Sequence, residues 1–359
     1  MTSTATSAPH SAFTDPSDPR LCELEQWLAR SGRIQNPVGL VPASADASFR
    51  RYFRVFDGEN GPSYIVMDAP PQKEDTGPFV QISQQLDAIG LKVPRVLDAD
   101  RERGFLLLSD LGNTTFLSAV TPDNADTLYR SALQTLVRFQ AQGQALSQTL
   151  PPYDDALLDR EMDLFSDWLL GEHLQRPLDG RDHQAWQKVK QTLAMSALAQ
   201  PQVAVHRDYH SRNLMIGAAL PDAPGVLDFQ DAVRGPLTYD AVSLLRDCYV
   251  RWPLEAVHDW RRFYFLALVA SGLQQRTDWD GFVRAFDLMG MQRHLKASGI
   301  FARLWHRDGK DGYLPDVPNT LQYLYEAAAL YPDLPGMPWL LDLLENRVLP
   351  DCASLQEVG

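Results

Sequence analysis

Leu21, Leu24, Trp27 and Leu28 recur at the spacing of one helix face, and Gly32 follows as a stop. An amphipathic helix is therefore predicted near the start. The Ser/Thr/Ala/Pro-rich residues 1–19 ahead of it lack the apolar content to bury a core and read as a frayed tail. Phe49, Arg51, Phe53 and Val55 alternate with Arg50, Tyr52 and Arg54, the pattern of a strand with two unlike faces. The run Ser44-Ala45-Asp46-Ala47-Ser48 before it predicts a turn. A strand over 63–67, a helix over 79–89 ending at Gly90, and strands over 93–97 and 104–108 follow.

Beyond residue 120 the period changes. Thr121-Pro122 has the form of a hydroxyl cap before a first-turn proline, with Leu128, Ala132, Leu136 and Phe139 as the buried stripe behind it. Further helices are predicted over 155–170, 183–199, 238–251 and 255–273, with more toward the C-terminus. One β-rich island over 203–229 interrupts them. The expected organisation is a small mixed unit over 20–110 and a larger, mainly helical unit over 111–359, an α+β architecture.

Composition narrows the function classes. The chain has 359 residues, more than one ordinary core accommodates, and 45% are hydrophobic. Its net charge of -13 opposes a polyanion partner, and the densest basic run, Arg50-Arg51-Tyr52-Phe53-Arg54, is short, so no nucleic-acid partner is expected. Cys22, Cys248 and Cys352 are far apart and have no ligand spacing, which argues against a disulfide framework or a zinc site and for a reducing, cytoplasmic setting. The N-terminus carries no apolar segment of a secretory signal. The longest apolar run, 263–273, is too short for the roughly 20 residues that span a bilayer, so no membrane partner is expected either.

The chemistry concentrates in the island. It reads Val203-Ala-Val-His206-Arg207-Asp208-Tyr209-His210-Ser211-Arg212-Asn213-Leu214-Met215-Ile216, then, after a turn, Val226-Leu227-Asp228-Phe229-Gln230-Asp231. Phosphoryl transfer to an alcohol needs a group that orients the hydroxyl and takes its proton, and metal ions that neutralise the phosphate oxygens. Asp208 suits the first task. Asn213, five residues on, and Asp228, after a short strand, offer oxygen ligands of the kind Mg²⁺ takes.

His206-x-Asp208-x-x-x-x-Asn213 followed by Asp228-Phe229 resembles the catalytic core of the aminoglycoside phosphotransferases and their small-molecule kinase relatives, cousins of the protein kinases. The resemblance covers roughly residues 40–250. It implies a protein-kinase-like, two-lobed fold with ATP and Mg²⁺ as cofactors. Asp208 would be the catalytic base, Asn213 and Asp228 the metal ligands, and His206 and Asp240 supports of the loop. By the same resemblance Gly104-Phe105-Leu106-Leu107-Leu108-Ser109-Asp110-Leu111-Gly112 is the adenine-binding hinge, with Leu108, Ser109, Asp110 and Leu111 nearest the nucleotide. Ser44 and Ser48 would meet phosphate, although turn chemistry alone selects the same residues.

Two features depart from the family pattern. The third strand, Tyr64-Ile65-Val66-Met67, lacks the lysine that pairs with phosphates, and the phosphate-loop glycines are missing. Arg50, Arg51, Arg54 or Lys73 would supply that charge, guanidinium being a bidentate phosphate ligand; arginines that protect an edge strand are the other reading.

Within the family, Ala45-Asp-Ala-Ser-Phe-Arg-Arg-Tyr-Phe-Arg-Val55, Val66-Met-Asp-Ala-Pro-Pro71 and Asp228-Phe-Gln-Asp-Ala232 are most similar to the kinases of cell-wall amino sugars. These phosphorylate the anomeric hydroxyl of N-acetylmuramate and N-acetylglucosamine in peptidoglycan recycling. The resemblance thus implies a small-molecule amino sugar and ATP as partners. Arg212, Asp231, Arg234 and Glu161 are candidates for sugar contacts, against the plainer readings of solvated surface or core packing. A kinase of another alcohol or aminoglycoside, and a non-catalytic nucleotide-binding module, remain alternatives.

Overall fold

The computed structural model describes residues 18–45, 49–217 and 222–353. The chain divides into two compact units, Met1–Asp87 with Val93–Leu111, and Ala88–Lys92 with Gly112–Gly359.

The first unit opens with α1 (Pro19–Ser31). Asp18 accepts the N–H groups of Arg20 and Leu21, Pro19 takes the first turn, and Gly32 at φ 64° ends the helix. Its apolar face, Leu24, Trp27 and Leu28, is buried against Phe53, Val55, Val66, Phe105 and Leu107. Those residues come from a five-stranded sheet: β1 (Pro37–Ala45), β2 (Arg51–Asp57), β3 (Ser63–Asp68), β4 (Val96–Asp100) and β5 (Phe105–Ser109). The spatial order is β1-β2-β3-β5-β4 and every pairing is antiparallel. Helix α2 (Gly77–Ala88) buries Phe79, Ile82 and Leu86, and its Ser83 hydroxyl donates to the Pro94 carbonyl.

Strand β1 was not among the expected elements; it carries Pro37, Gly39 and Pro42. It lies at the sheet's edge, where a missing N–H is tolerated, and its register slips between Val38 and Val41 and between Pro42 and Ser44. Ser44 therefore belongs to a strand, opposite Tyr52, and not to a turn. Residues 46–48 of the expected turn, Ser48 among them, lie outside the described residues.

In the second unit, α3 (Phe116–Ala119), α4 (Ala125–Gln142) and α5 (Gln144–Thr149) precede α6 (Asp155–Leu164), which runs on as a π-helix over Phe165–His173. The expected cap at Thr121 is corrected: α4 starts at Ala125 after Asn124, whose side chain accepts the Thr121 N–H. Then come α7 (Gly180–Leu198), α8 (Tyr239–Leu245), α9 (Leu254–Ala270), α10 (Trp279–Asp308) and α11 (Val317–Ala329). The helix expected over 238–251 stops at Leu245, because Asp247 captures the N–H groups of Tyr249 and Ser211.

Helix α10 runs through the middle of this unit and is buried almost continuously from Phe286 to Gly299. At Gly299 a Cβ would stand 2.2 Å from the Leu164 carbonyl carbon, so only glycine permits this crossing with α6. The β island resolves into two small ladders. β6 (Gln202–Val205) pairs with β9 (Val233–Pro236), and β7 (Leu214–Met215) with β8 (Gly225–Val226). Strands β6 and β7 flank the polar loop 206–213.

Candidate active site

The loop 206–213 is tied down from three directions. Fully buried Asp240, in the first turn of α8, accepts the N–H of His206 at 2.7 Å and of Arg207 at 3.0 Å. His206 donates from Nε2 to the Leu227 carbonyl at 2.8 Å, and its Nδ1 accepts the Asp208 N–H at 3.3 Å. Asp247 accepts the Ser211 N–H at 2.8 Å. These anchors hold Arg207 at φ 78°, a conformation costly for a residue with a Cβ. Asp228 stands at φ 62° for the same kind of reason, at the turn after β8.

Asn213 bridges the Asp208 backbone and the Asp228 side chain. Asn213 Nδ2 donates to the Asp208 carbonyl at 3.0 Å and to Asp228 Oδ2 at 3.3 Å. Gln230 Nε2 donates to Asp228 Oδ1 at 2.6 Å. Asp208 and Asn213 are half-buried and Asp228 is exposed. Among the described residues no group of three His, Cys, Asp or Glu side chains could hold a metal. What is present is a touching amide–carboxylate pair of hard oxygen donors, which fits Mg²⁺ carrying water and phosphate in its other positions.

Behind the loop lies a buried charge network. Glu161 on α6 is ion-paired to Arg207 and, at 3.1 Å, to Lys296 on α10, and it accepts the Tyr153 hydroxyl. Lys296 Nζ also donates to the Tyr239 hydroxyl at 3.0 Å. Burial pushes the Asp208 carboxyl up, but the cations around it, Lys296, Arg293 and Arg207, outweigh burial and hold it at about 2. Burial raises Asp240 to about 6, against its two N–H donors and His206. Burial likewise lowers His210 to about 4 and keeps it neutral near pH 7.

With this geometry established, the chain can be placed among known proteins. The model of a phosphotransferase enzyme family matches residues 39–279. The chain belongs to this family. The N-acetylmuramate/N-acetylglucosamine kinase of Pseudomonas aeruginosa is 48% identical over 320 residues, 89% of this chain and 93% of that one. The enzyme of the same name from Pseudomonas putida is 45% identical over 339 residues, 91% of this chain and 97% of that one. An ADP-bound aminoglycoside phosphotransferase of 16% identity superposes with a TM-score of 0.54, covering 85% of this chain and 98% of its own. The chain therefore has the protein-kinase-like α+β fold and is an ATP-dependent phosphotransferase.

Other residues expected at the site of this phosphotransferase have partners within the protein. Arg51, expected to meet phosphate, binds Asp68 at 2.6 Å and also Asp18; Asp68 is fully buried and shares its two oxygens between Arg51 and Arg20. Arg50 pairs with Glu74 at 3.0 Å and Arg54 with Asp110 at 2.6 Å. Lys73 lies over the Phe49 ring, 3.9 Å from its centroid. Leu108, expected to face adenine, is buried in β5 between Ile65 and Val96, and the Ser109 N–H is donated to the Arg95 carbonyl. Asp110 and Leu111 follow at the strand's end.

Glu161, a candidate for sugar contact or core packing, is 5% exposed and neutralises Arg207 and Lys296. Asp231 and Arg234 are exposed, the latter on β9. Arg212 lies 3.6 Å over Tyr249 and 3.5 Å from Asp316. The residues missed from sequence, Arg293, Lys296 and Asp247, stand far from the loop in the chain. Nothing in the local sequence marked them: Arg293 and Lys296 lie among Gln292, His294 and Ser298 on α10, and Asp247 follows the end of α8.

Proposed function

We propose that this phosphotransferase moves the terminal phosphoryl group of ATP onto the anomeric hydroxyl of N-acetylmuramate and N-acetylglucosamine, giving sugar 1-phosphates in the cytoplasm during cell-wall recycling. The observation that carries the substrate is the 48% identity, over nearly the full length of both chains, to a kinase named for those two sugars.

In this reading Asp208 accepts a hydrogen bond from the acceptor hydroxyl. It takes the proton as the new O–P bond forms and the bond to the departing ADP breaks. A carboxyl held near 2 is a weak base, so it acts by orienting the hydroxyl and receives the proton late, as a loose phosphoryl transfer permits. His206 and Asp240 fix the loop that carries it. Asn213 and Asp228 are the residues that would hold Mg²⁺, which when bound neutralises phosphate charge. Most of the rate then comes from positioning and fixed charge.

ATP turnover with each amino sugar and with a panel of aminoglycosides tests the assignment, and phosphorus NMR of the product locates the ester. A phosphate at C6, or turnover with antibiotics alone, would reject it.

A further inference from the structure

Asp247 joins two segments of the second unit. One of its carboxylate oxygens accepts the Ser211 N–H at 2.8 Å and the other the Tyr249 N–H at 3.0 Å, so the catalytic loop and the chain after α8 are held in register. The Tyr249 ring thereby stands edge-on to His210, centroids 5.2 Å apart, and lies under the Arg212 guanidinium, whose Cζ is 3.6 Å from the ring centroid. Tyr313, from a 3₁₀ turn over Asp311–Asp316, stacks on Phe301 of α10 and approaches the same guanidinium at 5.5 Å. The main chain is pinned on both sides of Arg212: the Leu117 N–H donates to the Ser211 carbonyl at 3.0 Å and the Asn213 N–H to the His210 carbonyl at 2.9 Å.

Rings, and not hydrogen bonds, therefore orient this guanidinium. Asp316 stands 3.5 Å from Nη2 as an ion pair without a hydrogen bond, and none of the five N–H groups of Arg212 is hydrogen-bonded to a described residue. Two other arginines of this unit contrast with it: Arg207 hydrogen-bonds Glu161, and Arg246 hydrogen-bonds Asp287 at 2.6 Å. The Arg212 side chain is 38% exposed, so a ligand can reach it. A planar cation held flat on an aromatic face, with its fork of donors unfilled, is prepared for a bidentate anion.

Its place in the loop says which anion. Arg212 directly precedes Asn213, whose amide meets the Asp208 carbonyl at 3.0 Å and the Asp228 carboxylate at 3.3 Å. Between Asp208 and Arg212 the chain turns Tyr209 inward, its hydroxyl donating to the Ala132 carbonyl, and fully buries Ser211. Asp208 and Arg212 are the half-buried members of this stretch. In N-acetylmuramate the lactyl arm is carried on C3, two ring carbons from the anomeric C1. With the anomeric hydroxyl at Asp208, the carboxylate must be met further along the loop and not against Asp208 itself. Arg212, four residues on, offers the cation there.

We propose that Arg212 is the specificity residue for the acidic acceptor: its ring-stacked guanidinium takes the lactyl carboxylate, and Asp316 balances the charge when a neutral sugar is bound. This rests on the amino-sugar reading above and deepens it.

The test is a cycle between acceptor and enzyme. Wild-type kcat/KM is measured on N-acetylmuramate, on its carboxamide and on N-acetylglucosamine, then again with Arg212→Met, Arg212→Lys and Asp316→Asn. Wild type should favour the carboxylate over the carboxamide by about 10-fold, the lower end for a charge-assisted pair because water partly screens the guanidinium. Arg212→Met should collapse that ratio toward one. Arg212→Lys should retain part of it, since charge remains without the planar fork. Asp316→Asn removes the competing carboxylate and should raise the ratio by about 2- to 5-fold.

Equal treatment of carboxylate and carboxamide by the wild type overturns the proposal without any variant, so a misfolded Arg212→Met does not protect it. A ratio that survives Arg212→Met while the KM for ATP rises also overturns it, and assigns the guanidinium to a phosphate instead. A ratio lowered by Asp316→Asn overturns the exchange of one carboxylate for the other. No wild-type turnover of either sugar would remove the amino-sugar reading, and this inference with it.

Discussion

Asp240→Ala tests how the catalytic loop is held. The substitution removes the acceptor of two buried N–H groups, those of His206 at 2.7 Å and Arg207 at 3.0 Å. Each orphaned donor costs about 1–3 kcal/mol, or about 2–6 kcal/mol for both. Relaxation of Arg207 from φ 78° returns part of this, about 1–3 kcal/mol, so the expected net loss is about 1–3 kcal/mol. The loss should depend on pH. Burial raises the Asp240 carboxyl from its ordinary 3.8 to about 6, so the folded chain holds this proton more tightly than the unfolded one. The stability it contributes is complete below pH about 3.8 and is lost as pH rises through about 6. Between pH 5 and pH 8 the wild type should lose about 1.4 kcal/mol from this group, and Asp240→Ala none. Urea unfolding of both proteins at the two pH values, compared as a difference, isolates the effect from other titrations. With the loop loosened, kcat should fall by about 100-fold, the scale of a displacement of roughly 1 Å. A variant with the wild-type urea midpoint, or a stability gap that widens as pH rises, would refute this account of the anchor.

Four further outcomes are expected. Asp208→Asn should lower kcat by about 10²- to 10⁴-fold while leaving the unfolding midpoint and nucleotide binding near wild type; undiminished turnover would remove Asp208 from the mechanism. Because Asp208 is held at about 2, it should remain ionised down to about pH 3, so any loss of kcat/KM near pH 6 should follow Asp240 and vanish in Asp240→Asn. Chelation should abolish turnover and Mg²⁺ restore it, with Asp228→Asn and Asn213→Ala each raising the Mg²⁺ concentration for half-maximal rate; unchanged metal dependence in both would discard the pair as ligands. Lys296→Met should destabilise the chain measurably in denaturant unfolding, but by less than the roughly 3–5 kcal/mol of an uncompensated buried charge, because Arg207 still pairs with Glu161.

Local rules carried much of the fold. Helix α1 was legible because its buried face and its glycine stop lie within a few residues of one another, although its cap, Asp18, was read as part of the tail. Strands β2, β3 and β5 were legible because an alternating or wholly apolar run states its own burial. The meeting of Asn213 with Asp228 was readable for a related reason: two short ladders fold back over a loop whose residues are near neighbours in the chain.

Where a residue's state depends on distant chain, the linear pattern said little. Strand β1 exists because β2 offers it an edge, and an edge excuses its prolines. Arg51 looked available until the fold placed the buried Asp68 beside it. Glu161 sits on a helix like many surface acids, but the crossing of α10 at Gly299 brings that helix close to α6, and Lys296 and Arg207 then claim its carboxylate. Sequence alone determined the elements and the chemical character of the loop, because those depend on neighbours within a few residues. Tertiary structure decided which charges are neutralised, because burial and Coulombic pairing act across space and take no account of separation along the chain.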